Sequence, residues 1–503
     1  MKRFETNSLL VFICIFSFSF PCLKAQEQTQ SKKLSFEQAM DLSKQNSHIV
    51  KQADYQKQEK KQLVKAARGL YLPKIGISAQ YMAMSEDLHL DLTPVRDAIE
   101  PLYKTLGSYG NFSIPGVPDN IATQMIRTKM NEGLFQVENG EWDKLIQKKQ
   151  FGTIDATFDW PIYVGGKIRA ANKAANIQLT EADEAERQKE GELVSELVER
   201  YYGLCLAKQA EKVRLDVFKG MENHLQDALK MEKQGFLANV DVLNVRVFHS
   251  QAERELNKSR RTSNILNQAL LNTLAQDDDT SIEPISSLFY LDRIESLEYF
   301  KKLAKQNNPL LHQVEAKKQL SIQAYNVEKS NYFPAIAITG MYDIANKDLS
   351  PYTPEWLVGI GMKWTLFDGA ARYRKIKAAS LKTEQVKEYQ LKAKSDIETV
   401  IDKLYQELNM YKEQLSYLET ARAYAKEYLR VREKGFHEEM ANSTDVVDAR
   451  LALSKILIER LETMYKYDTT LAKLLEFSGV SEQFTAYQRN PNVKTESYQS
   501  EIK

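Results

Sequence analysis

The sequence contains the same series of motifs twice, and this internal repeat constrains the fold more than any other feature. Lys44-Gln45-Asn46 recurs as Lys305-Gln306-Asn307, and Tyr71-Leu72-Pro73 recurs as Tyr332-Phe333-Pro334. Both second copies lie 261 residues after the first, since 305 − 44 and 334 − 73 give the same difference. We therefore predict a tandem duplication in which both halves fold into the same series of elements.

Further along the chain the two copies lie closer together. The block from Trp160 to Gly165 matches the block from Trp364 to Gly369, which lies 204 residues later. The first copy therefore holds 57 extra residues, since 261 − 204 is 57. We place this insertion in a loop at about 86–150, where it forms either a cap or plug, as in porins, or a surface elaboration.

Long helices dominate both copies. Leu404, Leu408, Tyr411, Leu415 and Leu418 have the alternating four- and three-residue spacing of a coiled-coil seam, although an ordinary helical hairpin would show it too. The longest predicted helices would reach about 100 Å at 1.5 Å per residue, far beyond the width of a globular domain. The predicted helices are Ser35–Tyr71, Lys167–Gln234 and Asp241–Ala275 in the first copy, and Ser296–Tyr332, Ala370–Lys434 and Asp445–Ser478 in the second.

The N-terminus has the pattern of an export signal. Lys2 and Arg3 precede an apolar run, Leu9–Phe20, that is too short to span a bilayer. We predict a signal peptide over residues 1–25, and the alternative is lipid attachment at Cys22. No later stretch is long and apolar enough for a transmembrane helix, so the chain would enter a membrane with strands.

Four segments alternate between apolar and small or polar residues, with aromatic residues at their ends. Such segments of about ten residues are typical of transmembrane β-barrels, whose aromatic residues lie at the two membrane interfaces. We assign Trp160, Trp356 and Trp364 to this girdle, and the alternative is a soluble sheet with one face on a core. The strands are predicted at about 75–84, 151–162, 335–343 and 356–367.

Four strands have two open edges, and unpaired backbone groups in hydrocarbon cost several kcal/mol each. One chain cannot close such a barrel. If the strands span lipid, the protein must therefore be a homo-oligomer with cyclic symmetry.

The composition argues against several other classes of function. A net charge of +1 is not that of a general nucleic-acid binder. The chain has only six His and three Cys, without paired metal-binding spacing, and it has no nucleophile–base pattern or phosphate-binding loop. We expect no catalytic residue, no cofactor and no metal site, and therefore no enzyme.

The motifs, taken in order, resemble those of the TolC family of outer-membrane efflux and secretion channels. The resemblance runs from Leu34-Ser35-Phe36-Glu37 through Leu72-Pro73 and Trp160–Gly165 to the turn Gly235-Phe236-Leu237 and Asp241-Val242-Leu243, and it covers about residues 34–480. It implies a mainly α fold with a transmembrane β-barrel contribution. Three chains would form one 12-stranded barrel in the outer membrane and a periplasmic α-helical tunnel.

The resemblance also implies the partners and the division of the chain. The homotrimer would be embedded in outer-membrane lipid and extend into the periplasm, as the passive exit duct of a tripartite efflux or type I secretion system. An inner-membrane pump would deliver substrates through a periplasmic adaptor protein. The predicted units are a first repeat (26–275), an equatorial linker (276–293), a second repeat (294–479) and a polar, mobile C-terminal tail (480–503).

Three aspartates are candidates for the constriction of the tunnel. Asp445 and Asp448 open the last long helix, and Asp241 opens its counterpart. In a trimer they would form carboxylate rings that select cations. The alternative is that each caps the first turn of its helix and has no role in the channel.

Five residues at the hairpin turns are candidates for adaptor docking: Gly235, Phe236, Leu237, Gly435 and Phe436. The alternative is that each glycine is a helix C-cap and that the adjacent phenylalanine is its hydrophobic contact. A different function also remains open, because an exported coiled-coil structural or adhesive protein without a lumen would share the long helices.

Overall fold

The structure of the protein, a computed structural model, describes residues 31–110, 120–276 and 280–498. The predicted signal peptide and the possible lipid site at Cys22 lie outside these ranges. No helix in the described part of the chain is both long enough and apolar enough to cross a membrane.

The two halves of the chain share one series of elements, namely a short strand, two helices, two strands of the main sheet and two long helices, and each half adds further elements to it. The first half comprises β1 (Ser31–Leu34), α1 (Phe36–Asn46), α2 (His48–Gly69), β2 (Lys74–Ala83), β3 (Leu88–Asp91), α3 (Thr93–Gly110), α4 (Ile121–Asn139), β4 (Asp143–Gln147), β5 (Gln150–Val164), α5 (Lys167–Lys233) and α6 (Asn239–Thr273). The second half comprises β6 (Ser281–Pro284), β7 (Leu288–Leu291), α7 (Leu297–Asn307), α8 (Pro309–Ser330), β8 (Ala335–Lys347), β9 (Trp356–Lys363), α9 (Ala371–His437), α10 (Ser443–Phe477), α11 (Phe484–Gln488) and β10 (Val493–Glu496).

Each half is predicted to begin with one helix of about 37 residues, and this is wrong in both copies. The first helix breaks at Ser47, whose hydroxyl accepts a bond from the Val50 N–H at 3.4 Å. The second breaks at Asn308, whose side chain accepts from the Leu311 N–H at 3.1 Å. Both residues are N-caps, and Pro309 follows at the first helical position, which proline favours.

The strands form one antiparallel sheet in the order β2-β5-β8-β9. The helices follow the same lateral order, because near the sheet α2 packs on α5, α5 on α8 and α8 on α9. Further from the sheet, α6 packs on α5, α5 on α10 and α10 on α9. One side of the molecule is therefore formed by β2, α2 and α6, and the opposite side by β9 and α9.

The insertion has secondary structure of its own. Strands β3 and β4 pair antiparallel, and helices α3 and α4 pack on each other. Its base is joined to the β8–β9 turn, because the Gln147 side chain donates to the Asp348 carbonyl at 2.8 Å and Lys148 contacts the Asp348 carboxylate at 2.6 Å. The insertion thus lies at the end of the sheet away from the long helices.

The equatorial region contains strands from both ends of the chain. Strand β1 pairs in parallel with β6, and β10 pairs antiparallel with β7. The run Asp277–Asp279 in the predicted linker lies outside the described residues.

The C-terminal segment up to residue 498 is not the mobile polar tail that the sequence predicts. Phe484 is fully buried beside Phe36, Tyr202 and Phe289, with ring centroids 5.2–5.9 Å away. The Tyr498 hydroxyl donates to Asp216 on α5 at 2.8 Å. Aromatic burial therefore outweighs the polarity of the segment.

Candidate functional site

One face of the four-stranded sheet is apolar and uncovered. Ile77 on β2 is 75% exposed and Ile360 on β9 is 73% exposed, although both are large hydrophobic residues. An exposed apolar patch this continuous marks a surface that another apolar phase or molecule covers. The members of this face include Ile75, Ile77, Tyr81, Ile154, Ile338, Tyr342, Trp356, Val358, Ile360 and Met362.

The opposite face of the sheet carries mostly small and polar residues, although Met82, Met341 and Leu357 also lie on it. Thr153 and Asp155 on β5 are buried, and the Thr153 hydroxyl donates to the Asp155 carboxylate at 2.8 Å. Asp155 lies opposite Ser78 on β2 and Asp343 on β8. The charged residues of the central strands thus lie on the face opposite the continuous apolar one, as in a sheet between lipid and water.

The three predicted girdle tryptophans lie near the two ends of the main sheet: Trp160 is four residues before the end of β5, Trp364 directly follows β9, and Trp356 begins β9. The Trp160 indole N–H donates to the Tyr71 carbonyl at 3.0 Å, and the Trp364 indole N–H donates to the Tyr332 carbonyl at 3.1 Å. These bonds are equivalent in the two repeats and lie where the sheet meets the helices. Trp356 lies at the other end of β9 and is exposed.

The turn between α5 and α6 exposes one of its predicted docking residues. Gly235 has a left-handed φ of 81°, and the Phe236 N–H donates to the Met231 carbonyl at 3.0 Å, which closes the end of α5. Phe236 is 61% exposed. Leu237, in contrast, packs beside Ala228 and Val242 and so holds the two helices together.

The second turn has a different geometry, and the C-cap interpretation of Gly435 is wrong. Helix α9 continues past Gly435 to His437, and Glu439 takes the left-handed conformation with φ 60°. Phe436 is only 3% exposed, and its ring lies 4.7 Å from that of His224 on α5. Phe436 is therefore not available to a partner in this conformation, because it lies in the last turn of α9 and packs against α5.

The three candidate aspartates lie at the same end of the helical bundle. Asp445 accepts a bond from the Asn442 N–H at 3.3 Å and lies 3.5 Å from the Arg432 guanidinium, so it acts as a cap. Asp448, one turn later, is exposed. Asp241 occupies the same third helical position in α6 as Asp445 in α10. The starts of the two helices meet where the Asn244 amide donates to the Thr444 hydroxyl at 3.5 Å.

A buried polar cluster lies close to this end of the helical bundle, and the sequence analysis did not predict it. Arg450 is 5% exposed, pairs with Glu433, and lies against Gly220 of α5, where a Cβ atom would overlap the guanidinium. Burial lowers the pKa of Arg450 and raises that of Glu433. The sequence does indicate that Arg450 is buried, because it lies four residues after Val446 and three before Leu453, which is the spacing of a coiled-coil seam.

His224 links this cluster to the start of α10. Its Nε2 lies 2.8 Å from the Ser443 hydroxyl, and the side chain is buried. Burial, helped by the positive charge of Arg450, lowers the pKa of His224 to about 4. The imidazole is therefore neutral at pH 7, and it joins the first helical hairpin to the second.

The described residues contain no group of three or more His, Cys, Asp or Glu side chains placed to hold a metal ion. The geometry instead provides two surfaces: an apolar sheet face with two open edges, and hairpin ends that carry exposed apolar and acidic side chains.

Comparisons with known proteins agree with this architecture. Residues 301–480 match the model of the family described as outer membrane efflux protein. The structure of the outer membrane protein VceC from Vibrio cholerae superposes with a TM-score of 0.67 at 12% identity, covering 88% of this chain and 96% of VceC. The CmeC outer membrane channel of Campylobacter jejuni gives a TM-score of 0.65 at 12% identity, covering 90% and 89% of the two chains.

A third similar structure is the open state of the MtrE outer membrane channel of Neisseria gonorrhoeae, with a TM-score of 0.65 at 11% identity and coverage of 89% of both chains. The sequence has no match among the curated proteins with which it was compared. At these identities the structures establish the fold, and the family model covers the second repeat. The second repeat of the chain thus matches the outer membrane efflux protein family, and the chain as a whole has the TolC-like fold of these outer-membrane channels.

Proposed function

We propose that three copies of this chain form an exit duct through the outer membrane, which passively conducts substrates out of the periplasm. The observation that carries this proposal is the four-stranded sheet, with its exposed apolar face and its polar opposite face. In a closed barrel, the apolar face contacts lipid and the polar face lines a water-filled lumen.

Closure of the barrel requires other copies of the chain. Strands β2 and β9 are the edges of the sheet, and each leaves a row of backbone groups unpaired within the chain. Because β2 and β9 lie on opposite sides of the molecule, the β9 edge of one copy meets the β2 edge of the next. Such head-to-tail contacts close into a ring, and three copies give 12 strands, since 3 × 4 is 12.

The helices continue from the sheet in the same lateral order and would form the wall of a periplasmic tunnel. The ends of the hairpins would receive a periplasmic adaptor, which connects the duct to an inner-membrane pump. The exposed side chains Phe236, Val240 and Met440 support this docking. Phe436 is buried, so it contributes to packing between the helices of one chain and not to docking.

The acidic residues at the hairpin ends would line the entrance. Asp448 is the strongest candidate for a carboxylate ring, because it is exposed, whereas Asp445 is already engaged by Asn442 and Arg432. Asp241 completes the set at the start of α6. Replacement of Asp448 by Asn should weaken block by divalent cations, and Asp445→Asn should change block less.

The experiment is to purify the full chain from outer membranes in detergent and to add it to planar bilayers. The proposal predicts a trimer that dissociates only on heating and discrete conductance steps. An exported structural coiled coil without a lumen would give long oligomers and no conductance. A monomer that leaves bilayers sealed would contradict the proposal.

A further inference from the structure

Helix α9 has a second row of residues at coiled-coil spacing, separate from the seam that it buries against its own chain. Met410, Tyr417, Tyr424 and Val431 recur at every seventh position, and all four are exposed. The two tyrosines are 75% and 69% exposed. An unbroken seven-residue repeat of large side chains is the pattern of a helix that packs against another helix.

Helix α6, on the opposite side of the molecule, has a row with the same period. Val247, Arg254, Arg261 and Gln268 recur at every seventh position and are exposed. The buried seam of α6, which includes Val242, Val245, Ala252 and Leu256, faces α5. The α6 row is thus turned away from its own chain, as the α9 row is.

The two rows lie at matching heights above the hairpin ends. Arg254 is 15 residues from the start of α6 at Asn239, or about 22 Å, and Tyr424 is 13 residues from the end of α9 at His437, or about 20 Å. Helix α6 runs away from the hairpin ends, whereas α9 runs toward them. Seven residues forward along α6 therefore reach the same height as seven residues back along α9. Arg261 then lies at the height of Tyr417.

We propose that the α6 row of one copy packs antiparallel against the α9 row of the neighbouring copy, with Arg254 over Tyr424 and Arg261 over Tyr417. Val247 then faces Val431, and Gln268 faces Met410, so that the two cation–aromatic pairs lie between these flanking contacts. The proposal deepens the proposed function and rests on its assembly of several copies.

The chemistry of the pairs is already present within one chain. The Arg432 guanidinium lies 5.0 Å from the centre of the Tyr428 ring, one turn along the same helix from Tyr424. A guanidinium over a tyrosine ring is attracted by the negative face of the ring, and the attraction is stronger when water is excluded. Glu413 lies three residues after Met410 and four before Tyr417, so in this arrangement it adds a carboxylate close to Arg261.

Only one register satisfies both arginines. A slip of one heptad in one direction places Arg254 opposite Val431, and a slip in the other direction places Arg261 opposite Met410. Either slip removes one cation–aromatic pair and packs a guanidinium against an aliphatic side chain. The pairs therefore fix the vertical position of one copy relative to the next.

The test is disulfide trapping in the full-length protein, purified in detergent after oxidation. Arg254→Cys combined with Tyr424→Cys should give covalent dimers and trimers on denaturing gels without reductant. Arg254→Cys combined with Val431→Cys is the matched control, because it is one heptad out of register, or about 10 Å. It should give at least tenfold less product, and each single variant should give none.

A second pair of variants separates the contact from general misfolding. Tyr424→Ala should lower the temperature at which the oligomer dissociates, whereas Tyr424→Phe, which keeps the aromatic face, should not. A stable trimer that is trapped equally at both cysteine pairs, or only at the control pair, would overturn the inference and leave the duct intact. Trapping to a different protein would also overturn it. A monomeric protein would contradict the proposed function itself.

Discussion

The indole N–H of Trp364 donates to the backbone carbonyl of Tyr332 over 3.1 Å, so the end of β9 is joined to the end of α8. Trp160 makes the equivalent bond to Tyr71 in the first repeat. The two junctions fix how the sheet leaves the helices.

Loss of this bond should destabilise the junction. Trp364→Phe keeps an aromatic ring but removes the donor, and a hydrogen bond of this kind contributes about 1 kcal/mol. The temperature of heat modification on denaturing gels should fall for Trp364→Phe and for Trp160→Phe. Trp356→Phe, at the far end of β9, is the control and should have a smaller effect. Equal effects of all three would assign the loss to ring size rather than to the bond.

The fit between Gly220 and Arg450 gives a second prediction. Gly220→Ala places a methyl group where the guanidinium lies, so the Arg450–Glu433 pair must move or break. Loss of a buried charge's partner costs about 3–5 kcal/mol. We expect a large fall in thermal stability of the helical region, measured by circular dichroism.

Gly203→Ala is the matched control in the same helix. Its added Cβ would lie 3.7 Å from the Tyr465 ring, an ordinary contact. Alanine is favoured over glycine in a helix by about 1 kcal/mol, so this variant should be neutral or more stable. If Gly220→Ala behaves like Gly203→Ala, the buried arginine does not depend on this glycine.

The connection between the two hairpins should weaken in acid. The pKa of His224 is about 4 when the side chain is buried in the fold and 6.5 when it is exposed to water. A state in which the two hairpins have separated and His224 is exposed therefore binds a proton more readily than the folded state. Its contribution to stability is therefore full above about pH 6.5 and is lost as the pH falls toward 4, by up to about 3 kcal/mol. Hydrogen exchange around His224, corrected for the intrinsic rate, should increase between pH 7 and pH 5. His224→Gln should remove this dependence, and an unchanged pH profile in the variant would contradict the assignment.

Asp468 should respond to pH in the opposite sense. Its carboxyl group is fully buried beneath the equatorial strands, and burial raises its pKa well above the ordinary value, although the Phe289 N–H donates to it at 3.3 Å. The fold therefore favours the protonated form, and stability is lost as the pH rises above about 4 toward the raised pKa. Asp468→Asn should make thermal stability less sensitive to a rise in pH above about 4, and equal sensitivity in both proteins would contradict this.

The repeat made much of the fold predictable. The Trp-to-Gly blocks and the Tyr-x-Pro blocks mark where strands begin and end, and the alternation along β9 separates Trp356, Val358 and Ile360 from their neighbours. The helix break in the second repeat was also visible, because Asn308-Pro309 is a strong start signal.

Other features could not be predicted because they depend on contacts across the fold. Phe436 is buried rather than exposed because α9 continues past Gly435 to His437 and holds the ring against His224 of α5. The C-terminal segment was predicted to be mobile because it is polar on average. Burial of two aromatic residues, Phe484 and Tyr487, instead holds it on the fold. The Arg450 side chain fits against Gly220, which lies 230 residues away in the sequence, and no local pattern reveals this contact.

The central claim is that the apolar face of the sheet lies in lipid, and two adjacent residues of β9 test it most directly. Ile360 lies on the apolar face and Gly359 on the opposite face. In protein reconstituted into vesicles, Gly359→Cys should react with a charged maleimide, whereas Ile360→Cys should react with it only after the protein is denatured in detergent, because a thiol in lipid is shielded from the reagent and is not ionised. Equal labelling of both cysteines by the charged reagent would contradict the account.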